Sequence, residues 1–122
     1  WSGPIVLLGD EADLPYQRPP LSKAYLCGKA DLEALALRQA AAYEAARITW
    51  RPGTRLQAID RERRTALFHG GEALPYAKLA LCTGGRARPW ACEGLDPQDP
   101  PANLFALRTR ADADALRAAL RP

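Results

Sequence analysis

Gly9-Asp10-Glu11-Ala12-Asp13-Leu14-Pro15-Tyr16-Gln17-Arg18-Pro19-Pro20-Leu21-Ser22-Lys23 is the stretch from which the fold can be read. It follows Ile5-Val6-Leu7-Leu8, an apolar run bounded by glycines that reads as a short buried strand. An acid just past the carboxyl end of a buried parallel strand lies where a nucleotide ribose can be hydrogen-bonded. The other role open to Asp10 is capping a turn. The prolines then lock the backbone that carries Arg18 and Lys23, so little entropy is lost when those cations are held in place. Isolated, either cation would read as solvated surface charge; bracing by Pro19-Pro20 directly after the acid favours a functional pair. Ser22 is predicted to cap a short helix that begins at Lys23, gathering amide donors beside an ammonium. Acid, stiff spacer, base and helix start together imply a cofactor cradle.

Working outward, 122 residues suffice for one modest core and not for two. The chain is 48% hydrophobic and 25% charged, which suits a globular domain. No apolar run approaches the ~20 residues of a membrane span, and no signal peptide is visible. Net charge is 17 − 14 = +3, with basic residues scattered, which argues against a nucleic-acid surface. Cys27, Cys82 and Cys92 are odd in number and far apart, so neither a disulfide framework nor a metal site is expected, and free thiols suit a reducing cytoplasm.

From Lys29 to Arg47 the Ala, Leu, Glu and Arg content reads as helix, with Asp31 as a cap. Tyr43 reads as packing. Ile48-Thr49-Trp50 is a brief strand ended by the turn Pro52-Gly53. Thr54 to Asp60 alternates as a half-buried strand, and Thr65 to His69 resumes the pattern after a charged turn. Gly70-Gly71 is a hairpin connection leading to Leu74-Pro75-Tyr76. Lys78-Leu79-Ala80-Leu81-Cys82 is predicted to be a buried parallel strand. His69, the only histidine, is read as an exposed strand end, because a general base would need partners in reach. Thr83-Gly84-Gly85 either lets a ligand approach the backbone or simply ends a strand. Residues 89–101 carry four prolines and form a stiff irregular connection. Asn103 to Leu107 is predicted as a last strand, and Thr109 as the cap of a helix running to about Leu120. Arg108, between the two, is either a surface cation or a partner for a phosphate or a stacked ring.

Gly-Asp-Glu at 9–11, Leu-Pro-Tyr-Gln-Arg-Pro-Pro-Leu-Ser-Lys-Ala-Tyr-Leu at 14–26, Leu74-Pro75-Tyr76, Leu79 to Gly85 and Leu107-Arg108-Thr109 resemble one family. It is the ferredoxin reductase branch of the FAD-dependent pyridine nucleotide oxidoreductases, which includes putidaredoxin and rubredoxin reductases and the reductase components of aromatic dioxygenases. The resemblance covers nearly the whole chain, and its most specific part is Arg-Pro-Pro-Leu-Ser-Lys. It implies an α/β, Rossmann-like FAD-binding domain: a parallel sheet with a three-stranded antiparallel insert. It also replaces the first half of the 29–47 helix with an extended piece at Leu35 to Arg38, keeping a helix from about Gln39 to Arg47. No Gly-x-Gly-x-x-Gly turn occurs in these residues. Residues 1–122 are therefore expected to be a partial FAD-binding domain, truncated at both ends, that binds FAD weakly when isolated.

By the same resemblance, Asp10 would take the adenosine ribose of FAD, and Lys23 would lie at the flavin ring. Leu56 would meet the adenine through its backbone, and Arg108 would help enclose the cofactor. Arg18 would meet a phosphate, while Thr83 and Gly84 would line the dinucleotide cleft. The implied activity is electron transfer from NADH through FAD to an iron–sulfur ferredoxin or rubredoxin. No residue here is a candidate for proton transfer or covalent catalysis, and the closely spaced cysteine pair of disulfide reductases is missing. The alternatives are a nitrite reductase, NADH oxidase or apoptosis-inducing-factor type of flavoprotein, or a non-catalytic remnant or interaction module. The last is prompted by the missing glycine turn and by Cys82, where the family usually has alanine.

Overall fold

The computed structural model describes residues 1–88, 93, 94, 96 and 98–120. Cys92, with residues 89–91, 95 and 97 of the proline-rich connection, lies outside the described residues. In chain order the elements are β1 (Ile5–Leu8), a 3-10 turn (Pro19–Ser22), α1 (Leu32–Leu35), α2 (Ala40–Ala45), β2 (Ile48–Arg51), β3 (Leu56–Asp60), β4 (Thr65–Phe68), β5 (Ala73–Pro75) and α3 (Arg110–Ala119). The fold is mixed α/β, with a parallel pair and a three-stranded antiparallel sheet, as expected. The chain divides into two units, Trp1–Tyr16 with Leu37–Cys82 and Gln17–Ala36 with Thr83–Pro122.

In the first unit β1 and β2 run parallel, in register from Ile5 opposite Ile48 to Leu8 opposite Arg51. Helix α2 leads into β2 and packs against it, burying Tyr43. Order in the antiparallel sheet is β3-β4-β5, with a bulge between Leu56 and Ala58 that interrupts the register. Along β4 the alternation does what a half-buried strand must: Ala66 and Phe68 turn into the core while Leu67 stays exposed. Gly70 and Gly71, at φ of +95° and +85°, make the β4–β5 turn in a region that side chains rarely enter. His69, just past β4, is exposed as anticipated.

The second unit is built on Leu21, Tyr25, Leu35 and Ala113, all buried. Pro19 and Pro20 open the 3-10 turn because fixed φ suits a helical start, and Leu21 is thereby driven inward. Helix α3 packs against this turn. A complete capping box begins α3: the Asp112 N–H donates to the Thr109 hydroxyl, and the Asp112 carboxylate accepts from the Thr109 N–H. Across this helix, Tyr25 donates to Asp114 Oδ1 at 2.7 Å and Arg110 to Asp114 Oδ2 at 2.7 Å, while the Arg117 guanidinium stands 5.4 Å from the Tyr25 ring centre. Burial, reinforced by the Asp114 carboxylate, pushes the Tyr25 hydroxyl above its ordinary pKa and keeps it a donor.

Four expectations need correction. Ser22 does not start a helix at Lys23; the helical turn is Pro19–Ser22, it ends there, and the Ser22 hydroxyl donates back to the Pro19 carbonyl at 3.4 Å. Residues 29–47 are not one helix: Asp31 does cap, accepting from the Ala34 N–H at 2.8 Å, but α1 stops at Leu35, Ala36 is extended, the Leu37 N–H donates to Pro15 O at 2.9 Å, and helix resumes at Ala40, as the resemblance implied for all but Leu35 itself. Lys78 to Cys82 forms no strand, and Leu81 is 60% exposed. Asn103 to Leu107 forms none either; the Leu104 N–H closes a turn on Pro101 O at 2.9 Å. Apolar, β-prone composition describes what a strand offers on its faces. A ladder also needs a neighbouring backbone, and among the described residues neither run has one.

Candidate functional site

The residues expected to hold a cofactor fall into two groups, one in each unit. In the first unit Asp10 follows β1 by two residues, exposed at the carboxyl edge of the parallel pair. Its turn is clamped by backbone bonds to the segment after β2. The Gly9 N–H donates to Arg51 O at 3.2 Å, the Thr54 N–H to Gly9 O at 2.7 Å, and the Gly53 N–H to Glu11 O at 3.2 Å. Tyr16 donates its hydroxyl to the Glu11 carboxylate. Trp50, the third residue of β2, lays the outer edge of its indole against Gly9. Leu56 is half-buried at the start of β3, two residues past Thr54.

In the second unit Arg18, Gly84 and Arg108 come together. Arg18 Nη1 donates to the Arg108 carbonyl at 2.8 Å, across ninety positions of sequence. Gly84 has φ +67°, and a Cβ there would stand 3.1 Å from Arg108 Nη2, so the missing side chain leaves the guanidinium its room. A shallow cleft of about 220 Å³ is lined by Arg18, Pro19, Leu21, Ser22, Leu107 and Arg108. Two guanidinium groups over an apolar floor make a site for an anion attached to a less polar body. Lys23 directly follows the 3-10 turn and is exposed, without lining the cleft. Thr83 is exposed beside Gly84.

Two residues that matter here were not singled out from the sequence. Trp50 was read as part of a brief strand, and only tertiary packing places its ring on Gly9. Asp112 was read as helix opening, yet its carboxylate accepts from the backbone N–H of Arg108 at 2.9 Å and of Thr109 at 2.7 Å, fixing the backbone from which Arg108 projects. The Thr-x-x-Asp spacing at 109–112 is the signal that would have found it. Burial by itself would raise the Asp112 pKa, but the N–H groups of Thr109 and Arg108, the Thr109 hydroxyl and the nearby Arg18 charge outweigh it, and the carboxyl sits below its ordinary 3.8. A depressed carboxyl contributes stability that is complete above its unfolded value and is lost as pH falls through the folded one. Asp112→Asn is accordingly expected to cost about 1 kcal/mol at neutral pH and to flatten the loss of α3 helicity below about pH 4 that circular dichroism should record for the parent.

Comparison with known proteins gives this geometry its context. The pattern that defines the pyridine nucleotide-disulphide oxidoreductases matches residues 1–122. The chain belongs to that family. Putidaredoxin reductase of Pseudomonas putida is 44% identical over 117 residues, 96% of this chain and 28% of that protein. The ferredoxin–NAD(+) reductase component of the anthranilate 1,2-dioxygenase system of Burkholderia cepacia is 45% identical over 117 residues, again 96% of this chain and 28% of that protein. Among solved structures, the covalent putidaredoxin reductase–putidaredoxin complex superposes with a TM-score of 0.86 at 45% identity, covering 98% of this chain and 28% of that one. This pyridine nucleotide-disulphide oxidoreductase chain therefore spans a little over a quarter of the length of the relatives it matches. Among the described residues no helix is long and apolar enough to cross a membrane.

Proposed function

We propose that these residues form part of the FAD-binding domain of an NAD(P)H-dependent ferredoxin or rubredoxin reductase that acts in the cytoplasm. The observation that carries the reading is that Arg18 and Arg108 line one cleft whose wall is a proline-locked turn, with Gly84 beside the Arg108 guanidinium. Such a site suits a diphosphate: a forked cation offers paired donors to phosphate oxygens, and a glycine backbone permits close approach. Asp10, exposed past a parallel strand and with no hydrogen bond or ion pair from its side chain among the described residues, suits a ribose hydroxyl. Each group by itself thus fits a part of FAD: Arg18 and Arg108, with Thr83 and Gly84 in the same unit, suit its diphosphate, and Asp10, with backbone groups of Leu56, suits its adenosine.

FAD, when bound, would supply the hydride and single-electron chemistry that no side chain here can. What these residues do is hold and tune. Arg18 and Arg108 neutralise phosphate charge, Asp10 orients the ribose, and Lys23 provides a fixed cation that favours negative charge on the isoalloxazine. Relatives whose names state reduction of ferredoxin support an iron–sulfur partner.

The test is turnover of the intact protein with NADH or NADPH against a ferredoxin, a rubredoxin and oxygen, with bound FAD measured per chain. Stoichiometric FAD and reduction of an iron–sulfur acceptor are expected. A protein without flavin, or one that reduces oxygen and neither iron–sulfur protein, would overturn the reading. Lys23→Ala in the same protein is expected to lower the flavin midpoint potential by tens of millivolts, read by dye equilibration, while FAD stoichiometry holds. A potential unmoved by the change would remove Lys23 from the flavin end of the site.

A further inference from the structure

Gly9 is a glycine for want of space and not for its backbone. Its φ is not positive, unlike that of Gly28, Gly53, Gly70, Gly71, Gly84 and Gly94. A Cβ on Gly9 would stand 2.5 Å from Cη2 and 3.3 Å from Cζ3 of Trp50, the first well inside any real contact. Trp50 is paired to Leu7 in the β1–β2 register, so its ring reaches along the sheet toward the strand end and covers the first residue of the turn. Tryptophan has two side-chain torsions and a rigid ring, and this one is half-buried. Adding a methyl group at position 9 must therefore displace either the ring or the turn.

We propose that Gly9 and Trp50 are a positioning pair that sets the aim of the Asp10 carboxylate. The three backbone bonds at Gly9 and Glu11 hold the two ends of the turn, and the indole packed on Gly9 fixes the peptide from which Asp10 projects. Asp10 acts on the ligand; Trp50 and Gly9 act through Asp10. A carboxylate meets a ribose hydroxyl within a few tenths of an ångström or loses the bond, so a tilt of this peptide costs recognition of that hydroxyl while sparing the rest of the ligand. The inference rests on the reading of Asp10 as the ribose acceptor given above, and the experiment separates the two.

The intact protein is freed of cofactor and titrated calorimetrically with ADP and with 2′-deoxy-ADP. The parent protein is expected to prefer ADP by about tenfold, the worth of one hydrogen bond to a charged group. Gly9→Ala is expected to shrink that preference to about twofold and to leave binding of 2′-deoxy-ADP within about threefold of the parent. Trp50→Leu, which keeps Gly9, is expected to shrink it similarly and serves should the alanine variant fail to fold. In Gly9→Ala with Trp50→Leu the clashing ring carbon is gone, the new methyl group packs on leucine, and part of the preference returns. A merely structural role would weaken both nucleotides alike and leave their ratio unchanged. A parent ratio near one would overturn the role of Asp10 and the pair with it. A tenfold parent ratio retained in both single variants, or a double variant no better than Gly9→Ala, would overturn the pair while leaving Asp10 in place.

Discussion

Leu21→Ala is expected to destabilise the second unit by about 3 kcal/mol, read from chemical unfolding of the intact protein against its parent. Leu21 is 2% exposed and is the largest fully buried side chain among the described residues. It points inward from a turn of two consecutive prolines, which cannot rotate to fill the void, so the cavity term adds to the lost transfer energy. Leu21 also floors the cleft between Arg18 and Arg108. The same substitution should therefore loosen cofactor retention. Leu21→Met, nearly isosteric, should cost under about 1.5 kcal/mol and retain it. Equal losses from both replacements would show that packing at this position does not govern the unit.

Arg108→Ala should weaken FAD binding to the intact protein by about 10- to 100-fold, from the loss of charge-assisted hydrogen bonds worth about 1.5–3 kcal/mol. The fold should survive, because Arg108 serves the architecture through its backbone: its N–H donates to Asp112 and its carbonyl accepts from Arg18. Alanine keeps both groups. Arg108→Lys is expected to recover part of the affinity, since it restores the charge and not the planar fork. Flavin fluorescence titration of protein freed of cofactor gives both numbers. An affinity unchanged in the alanine variant would take Arg108 out of the cofactor site.

What was legible in the sequence was whatever local chemistry dictates. Ile5–Leu8, the Gly70-Gly71 hairpin, the Asp31 cap and the Thr109-capped helix all follow from residue type and spacing within a few positions. So did the stiffness of Pro19-Pro20 and the buried fate of Tyr43. Lys78 to Cys82 and Asn103 to Leu107 misled because apolar composition says nothing of whether a neighbouring backbone is present to complete a ladder. The Lys23 helix misled because Pro19 and Pro20 start the helical turn four residues earlier, and past Ser22 the backbone closes only separate turns, the Cys27 N–H on Lys23 O and the Gly28 N–H on Tyr25 O. Within the candidate site, the residue types at 10, 18, 84 and 108 were readable. The bond from Arg18 to a carbonyl ninety positions away and the Trp50 ring on Gly9 were not, since each is a product of packing.

That long-range bond also bears on biosynthesis. The second unit takes its pieces from Gln17–Ala36 and from Thr83 onward, and the Arg18 guanidinium meets its acceptor only at Arg108. At about 5–20 residues per second, the ribosome delivers the acceptor many seconds after the donor. Through that interval Leu21 and Tyr25 lack the α3 face that buries them, a window in which nascent chains attract chaperones. The cleft lined by Arg18 and Arg108 is therefore completed only when the last part of this stretch has been made, a late event in the life of the polypeptide.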